Sequence, residues 1–146
     1  MAPKLARIFL DTSFLKALVD GKDDFHATAE TIWIDLKKQG VKLVCTNFIF
    51  DELFTLLRKR CGLQKALDAR SFIAEDTSQL LFIRIAIQDE ANAWIWFPND
   101  WSGLSFTDCT SFAVMKRLEL THVATFDRHF ERAGFTIVKP AVPISH

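Results

Sequence analysis

The chain has 146 residues, 49% of them hydrophobic, with 14 Phe and 4 Trp but no Tyr. That length and apolar content predict one globular domain over residues 1–146 with a core of its own, and exclude a disordered chain. Lys+Arg and Asp+Glu both total 18, so the formal charge is zero and bulk positive charge cannot be what holds a nucleic acid.

Cys45, Cys61 and Cys109 lie far apart with no C-x-x-C pair, which argues against a disulfide framework or structural zinc and fits a reducing cytosol. Residues 1–4 carry one basic side chain, but Asp11 closes the apolar run that follows too early for a secretion signal. No stretch approaches the ~18 uncharged apolar residues of a membrane span. A soluble, cytoplasmic protein with no membrane partner is expected.

In chain order, Ala6 to Leu10 is a first strand, and Thr12 to Val19 a helix with Phe14, Leu15, Leu18 and Val19 at helical spacing, stopped by Gly21. A second helix from His26 to Lys38 places Ala29, Ile32, Trp33 and Leu36 on one face. Val41 to Cys45 is a second strand, and Thr46-Asn47 caps a helix running to Cys61. After Gly62 the pattern gives a helix from Leu63 to Glu75, a strand from Leu80 to Ala86, and a short aromatic helix from Asp89 to Phe97 ended by Pro98. Residues 99–103 form a loop, Thr107 to Glu119 a helix, His122 to Phe126 a fourth strand, Arg128 to Ala133 a brief helix, and Phe135 to Val138 a last strand before Pro140 and Pro143. Strands alternating with helices predict an α/β fold: a mainly parallel sheet with helices on both faces, a three-layer α/β/α sandwich.

Four acids fall at comparable points on this map. Asp11 follows the first strand and Asp127 the fourth; Glu52 lies early in the helix after the second strand, and Asp108 opens the helix after the Trp101 loop. All four belong near the carboxyl edge of the sheet, where open α/β folds bind ligands. Each also has a purely structural reading. Asp11 and Asp127 suit helix N-caps, Ser105 with Asp108 fits a capping box, and Glu52 suits the positive end of a helix dipole. Capping alone does not require a common sheet edge.

Converging carboxylates repel, and either protonation or a divalent cation must offset that repulsion. Hard oxygen ligands suit Mg²⁺ or Mn²⁺ better than zinc. Such an ion takes remaining ligands from phosphates and activates water, which makes phosphodiester hydrolysis the matching chemistry. Asp51, adjacent to Glu52, competes with it, since neighbours on a helix face about 100° apart; Asp100 has no motif role. His26, His122, His129 and His146 share no ligand spacing and read as surface or internally satisfied histidines. No G-x-x-x-x-G-K, G-x-G-x-x-G or G-x-S-x-G occurs, and Cys109 reads as a buried helix residue rather than a nucleophile. Arg58, Lys59 and Arg60, with Lys116 and Arg117, are candidate phosphate contacts or simply favourable cations at helix ends. Trp94-Ile95-Trp96-Phe97, with Trp101, can stack bases, bury a partner or pack on the sheet.

Phe9-Leu10-Asp11-Thr12-Ser13, Thr46-Asn47 with Glu52-Leu53, Leu104-Ser105-Phe106-Thr107-Asp108 and Ala124-Thr125-Phe126-Asp127-Arg128-His129-Phe130 resemble, in order, the four motifs of PIN domains. They are similar to those of VapC-type toxins and their single-domain relatives. The resemblance implies a Mg²⁺- or Mn²⁺-dependent single-strand endoribonuclease on a Rossmann-like sandwich, commonly a homodimer. It further implies the toxin of a toxin–antitoxin pair, with a cognate antitoxin as partner. The family's metal-binding acids carry over to Asp11, Glu52, Asp108 and Asp127, and Thr12, Ser13 and Thr125 match flanking hydroxyls. A non-catalytic PIN-like module that binds RNA or protein competes with this reading, as does another acid-cluster phosphoryl enzyme such as a DNA nuclease. The Thr12-Ser13 that follows Asp11 lowers the phosphatase version, which wants a D-x-D.

Overall fold

The computed structural model describes residues 7–75 and 79–141. The readings at residues 1–4, Ala6, Pro143 and His146 lie outside them.

The elements are β1 (Arg7–Leu10), α1 (Thr12–Val19), α2 (His26–Gln39), β2 (Lys42–Thr46), α3 (Asn47–Cys61), α4 (Leu63–Ala74), β3 (Leu80–Ile83), α5 (Ile87–Ala93), α6 (Phe106–Arg117), β4 (His122–Ala124), α7 (His129–Arg132) and β5 (Thr136–Ile137). The five strands pair in parallel in the order β3-β2-β1-β4-β5. Ile8, Phe9 and Leu10 in β1 and Leu43, Val44 and Cys45 in β2 are buried without alternation, as strands covered on both faces must be. Right-handed crossovers assign α1–α4 to one face and α5–α7 to the other. Most of the packing agrees: α1 touches α2 and α3, α3 touches α4, and α6 touches α5 and α7, while α3 and α6 meet across the two groups.

The chain winds outward from β1 through β2 to β3, then crosses back to add β4 and β5 on the other side of β1. The sheet therefore reverses direction between β1 and β4. At such a switch point the two flanking connections leave in opposite directions and open a crevice at the carboxyl ends of the strands.

The apolar periodicity of α1 and α2 matches the core, which takes up Phe14, Leu15, Leu18, Ala29, Ile32 and Leu36. Several boundaries differ from the sequence pattern, β4 stopping at Ala124 rather than Phe126 among them, and three have a specific cause. The strand expected to reach Ala86 stops at Ile83, because the Ile85 N–H turns aside to the Asn47 side-chain oxygen at 2.7 Å. β3 is also an edge strand, with Leu81 and Phe82 well exposed, so its apolar run does not mark a central position. The aromatic helix runs from Ile87 to Ala93, not from Asp89 to Phe97; the Asp89 carboxylate fixes its start by accepting the Ala86 N–H at 2.8 Å. Finally, α6 ends at Arg117, where the chain passes through Leu118 to a left-handed Glu119 at φ 57°.

The first two turns of α6 are buried on every side, from Asp108 to Met115. Their hydroxyls are satisfied locally, Thr110 and Ser111 both donating to the Thr107 carbonyl at 2.8 and 3.0 Å. α6 is tied to α5 by a two-pronged ion pair: Arg117 Nε and Nη2 donate to the two oxygens of Asp89 at 2.8 and 2.9 Å. Asp89 is fully buried, and the guanidinium holds its carboxyl below the usual range against the opposing effect of burial.

This pair generates a stability prediction. Arg117→Ala strands a buried carboxylate, and its expected cost is about 2–4 kcal/mol, the lower end applying because Arg117 remains partly exposed. A calorimetric melt should show a loss of about 4 °C or more. An unchanged melting temperature would remove the pair from the account of how α5 is held.

Candidate active site

β1 and β4 run in register with Phe9 beside Val123 and Leu10 beside Ala124. The ladder extends one step further, the Asp11 N–H donating to the Ala124 carbonyl at 3.1 Å. Beyond that point the strands part, and the side chains of Asp11, Ser13 and Thr125 close the gap. Asp11 Oδ2 accepts from Thr125 Oγ1 at 2.7 Å, Ser13 Oγ at 2.9 Å and, more weakly, the Ser13 N–H at 3.4 Å. Ser13 Oγ in turn accepts the Phe126 N–H at 2.9 Å, and Thr125 Oγ1 the Asp127 N–H at 3.0 Å. The flanking hydroxyls Ser13 and Thr125 therefore position two acids at once. Thr12, also buried, leaves its hydroxyl without a partner.

Asp108 and Asp127 are fixed in the same manner. Asp108 Oδ2 accepts the Ser105 N–H at 3.0 Å while Ser105 Oγ accepts the Asp108 N–H at 3.0 Å, completing the capping box. Asp127 Oδ1 accepts the His129 N–H at 2.9 Å. Each of these carboxylates uses one oxygen on the backbone or a hydroxyl and has no hydrogen bond at the other among the described residues. The capping reading is met by one oxygen of each group, which leaves the other oxygen open to a ligand.

Thr46 caps α3 by accepting the Ile49 N–H at 3.1 Å, which puts Glu52 one turn into that helix. Glu52 is part-buried whereas Asp51 is exposed, and it is the charge of Glu52 that reaches Asp11 and Asp108. Burial and the reach of its charge favour Glu52 over Asp51 as the fourth acid of the cluster. Asp100 is exposed, and its charge does not figure at either acid.

Electrostatics joins the four into one cluster. Burial pushes the Asp11 carboxyl up to about 6, against the lowering effect of its Thr125 and Ser13 hydrogen bonds, with Asp127 and Glu52 adding repulsion. Asp108 is pushed up to about 7, first by burial and then by the charge of Asp11, with Asp127 and Glu52 behind. Asp11 Oδ1 is buried and has no partner among the described residues. A carboxylate oxygen in that condition, facing other carboxylates, is what a hard divalent cation would satisfy, so the residues present fit such an ion. Ligand atoms of Asp108, Asp127 and His129 lie within 4.8 Å of one another; Asp11 and Glu52 are not part of that tightest group.

His129 corrects the sequence reading, which placed it on the surface or among satisfied histidines. It is buried, its Nδ1 has no partner, and its Nε2 stands 3.9 Å from Asp127 Oδ1. Only its place two residues after Asp127 hinted at this, and a residue in a four-residue helix carries no usable periodicity. His26 does behave as a satisfied histidine, between the Ala17 carbonyl at 2.8 Å and Glu30 at 3.0 Å. Arg117 is a second correction: its guanidinium is engaged by Asp89, so it is not a free phosphate contact. Lys116, Arg58, Lys59 and Arg60 are exposed. In the aromatic segment, Trp96 packs edge-on against Phe112, Trp94 and Ile95 stay exposed, and Trp101 lies parallel to the His129 ring. Cys109 is buried with its thiol pushed up to about 11, which excludes it as a nucleophile at neutral pH.

The family model described as "PIN domain" matches residues 8–136. The chain is 34% identical over 133 residues to the "23S rRNA-specific endonuclease VapC20" of Mycobacterium tuberculosis, in both strain CDC 1551 / Oshkosh and strain H37Rv; the match covers 91% of this chain and 98% of that protein. The crystal structure of M. tuberculosis VapC20, described as a "Sarcin-Ricin loop cleaving toxin", is similar with a TM-score of 0.81, covering 91% of this chain and 99% of that one at 34% identity.

The raised carboxyls set a pH dependence of stability. Between the unfolded value near ~4 and the folded values of about 6 and about 7, the folded chain holds protons that the unfolded chain has released. Stability of the metal-free protein therefore falls as pH rises through that window and levels off above it. Protein stripped with a chelator should melt several degrees higher at pH 5.5 than at pH 8. Asp108→Asn should flatten the profile and raise the pH 8 melting temperature; a profile identical to wild type would refute the repulsion.

Proposed function

The chain belongs to the PIN-domain family, and from that premise we propose that it is a metal-dependent endoribonuclease that hydrolyses phosphodiester bonds of RNA as the toxin of a toxin–antitoxin pair. The observation that carries the proposal is the buried, unpartnered Oδ1 of Asp11 within a cluster that includes Asp108, Asp127 and Glu52. Asp11, Glu52, Asp108 and Asp127 would hold one or two Mg²⁺ or Mn²⁺ ions. When bound, the cation would offset charge on the phosphodiester and raise the reactivity of water toward it.

The protein's own contribution is preorganisation. Thr125 and Ser13 fix the plane of the Asp11 carboxylate, Ser105 fixes Asp108, and the 127–129 turn fixes Asp127. Each acid thus presents its remaining oxygen to the crevice with little conformational freedom left to lose on binding. In the absence of a cation, burial and then the charge of Asp11 push the Asp108 carboxyl up to about 7, so it is about half protonated at neutral pH, which relieves part of the repulsion and lowers the donor strength of the site. A neutral protein can attract a polyanion here because a cation reverses the local sign.

The relatives' names make large-subunit ribosomal RNA, and a hairpin bearing the sarcin–ricin loop sequence, the first substrate to assay. The proposal includes a cognate antitoxin, a homodimer and a cytoplasmic site of action. Exposed apolar side chains such as Ile87, Trp94 and Ile95 give protein partners a surface to cover. Among the described residues, no helix is long and apolar enough to cross a membrane. A non-catalytic binding module would have little use for a buried carboxylate oxygen without a partner, and the unpartnered Asp11 Oδ1 counts against that reading.

Cleavage of the hairpin should need Mn²⁺ or Mg²⁺ and stop on chelation. Asp11→Asn and Asp108→Asn should each lower kcat/KM by more than about 100-fold, beyond the range typical of outer-shell partners. Full-rate cleavage by both variants would show that the acids do not carry the activity.

A further inference from the structure

Beside the acid cluster stands a ring nitrogen that reaches solvent and has no hydrogen-bond partner among the described residues. His129 is 8% exposed, and three contacts hold it. Its ring lies parallel to Trp101, with 13° between the planes and 6.1 Å between centroids. Its N–H is bound to Asp127 Oδ1 at 2.9 Å, and its carbonyl accepts the Ala133 N–H at 2.9 Å. The ring has little freedom to turn.

The two ring nitrogens are in different situations. Nδ1 is buried and has no partner, so a proton there would be a desolvated donor left unsatisfied. Placing the proton of the neutral ring on Nε2 leaves Nδ1 a bare acceptor and puts the donor on the nitrogen that stands 3.9 Å from Asp127 Oδ1. Nε2 is 3.9 Å from Asp127 Oδ1, which is beyond hydrogen-bond reach. A Cβ added at Gly103 would stand 3.9 Å from the same nitrogen, so the glycine leaves the space in front of it open. No other group among the described residues accepts from it. A rigid N–H thus sits where a ring nitrogen and the oxygens of Asp108 and Asp127 lie within 4.8 Å of one another, without an acceptor.

We propose that His129 is a substrate-binding residue whose Nε2–H donates to a non-bridging oxygen of the RNA phosphate drawn to the acid cluster. The proposal rests on the ribonuclease reading above and adds a phosphate contact to it. An anionic oxygen is the acceptor that makes this bond strongest, and its demand for donors is greatest where carboxylates surround it. Ligation of a cation by Nε2 is the competing role for the same atom. It would require the proton to move to Nδ1, where no acceptor waits, and the ligand would lack the outer partner that metal-bound imidazoles normally have. Trp101 acts on the phosphate only through His129, by fixing the plane of its ring.

His129→Phe keeps the face that stacks on Trp101 and removes both nitrogens, while His129→Gln keeps a donor. Three quantities separate the roles: anisotropy of a labelled sarcin–ricin-loop hairpin in Ca²⁺ with hairpin integrity checked on a gel, Mn²⁺ affinity from the electron paramagnetic resonance of free Mn²⁺, and kcat/KM in Mn²⁺. His129→Phe should bind the hairpin about 10-fold or more weakly and lose kcat/KM to at least the same degree, with Mn²⁺ affinity within about twofold of wild type. His129→Gln should recover part of the RNA affinity. Unchanged hairpin affinity and kcat/KM in His129→Phe would overturn the proposal. So would a fall in Mn²⁺ affinity parallel to that for RNA, which would make His129 a nitrogen ligand. A wild-type protein that neither binds nor cuts RNA would instead defeat the ribonuclease reading, and that control is scored first.

Discussion

The structure depends on the carboxylate of Asp11 being buried at the one place where the sheet changes direction. A buried, unpaired carboxylate is expensive, and a neutral one still needs partners for its oxygens. Here Oδ2 receives two hydroxyls and a backbone N–H, from Thr125 and Ser13, while Oδ1 receives nothing. That asymmetry cannot be rationalised as stability: an unsatisfied buried oxygen costs about 1–3 kcal/mol. A fold selected only to persist would have closed it off with another hydroxyl or replaced the acid. The surrounding chain is built to hold the group in place in spite of the cost, and the pairing of β1 with β4, the α1 cap and the 125–127 turn all converge on it.

The same economy of means recurs around the cluster. Three of the acids act as caps or turn formers, and the local geometry that a cap demands also fixes where the second oxygen points. The structural role therefore serves the chemical one. A carboxylate already immobilised by a helix start loses less rotamer freedom when it takes up a ligand than a free surface acid would. Glu52 is the exception. It lies past the first turn of α3 with no hydrogen bond among the described residues, and it contributes through its charge at Asp11 and Asp108. Three rigid acids and one adaptable acid suit the proposed site, which would take up a phosphate as well as a cation.

Most of this was legible in the sequence because it is encoded locally. The apolar runs of β1 and β2, the 3.6-residue periodicity of α1 and α2, and the capping pattern Ser105-Phe106-Thr107-Asp108 each need only neighbours to be read. What failed depended on partners distant in the chain. β3 is cut short by Asn47, 38 positions from Ile85, and the exposed Arg117 guanidinium is engaged by Asp89, 28 positions away. Neither residue type announces such a choice, since Arg near a helix C-terminus is favourable with or without a carboxylate to meet it. His129 was missed for a third reason: a four-residue helix has too little period to say which way a side chain faces.

Net neutrality also takes on a definite meaning once the cluster is in view. With 18 positive and 18 negative side chains and a concentration of acids in the crevice, the resting protein repels phosphate where it would have to be bound. Long-range attraction cannot then be the source of affinity, and the outer surface supplies only short exposed basic runs such as Arg58-Lys59-Arg60. On the reading proposed above, affinity would be assembled at short range, from cations on the acids, from the His129 imidazole beside Asp127, and from the shape of the crevice. Contacts of that kind act within a few ångströms and respond steeply to the fit of the backbone they grip. A site with weak long-range pull and strong short-range demands would discriminate by the conformation of the RNA rather than by its charge.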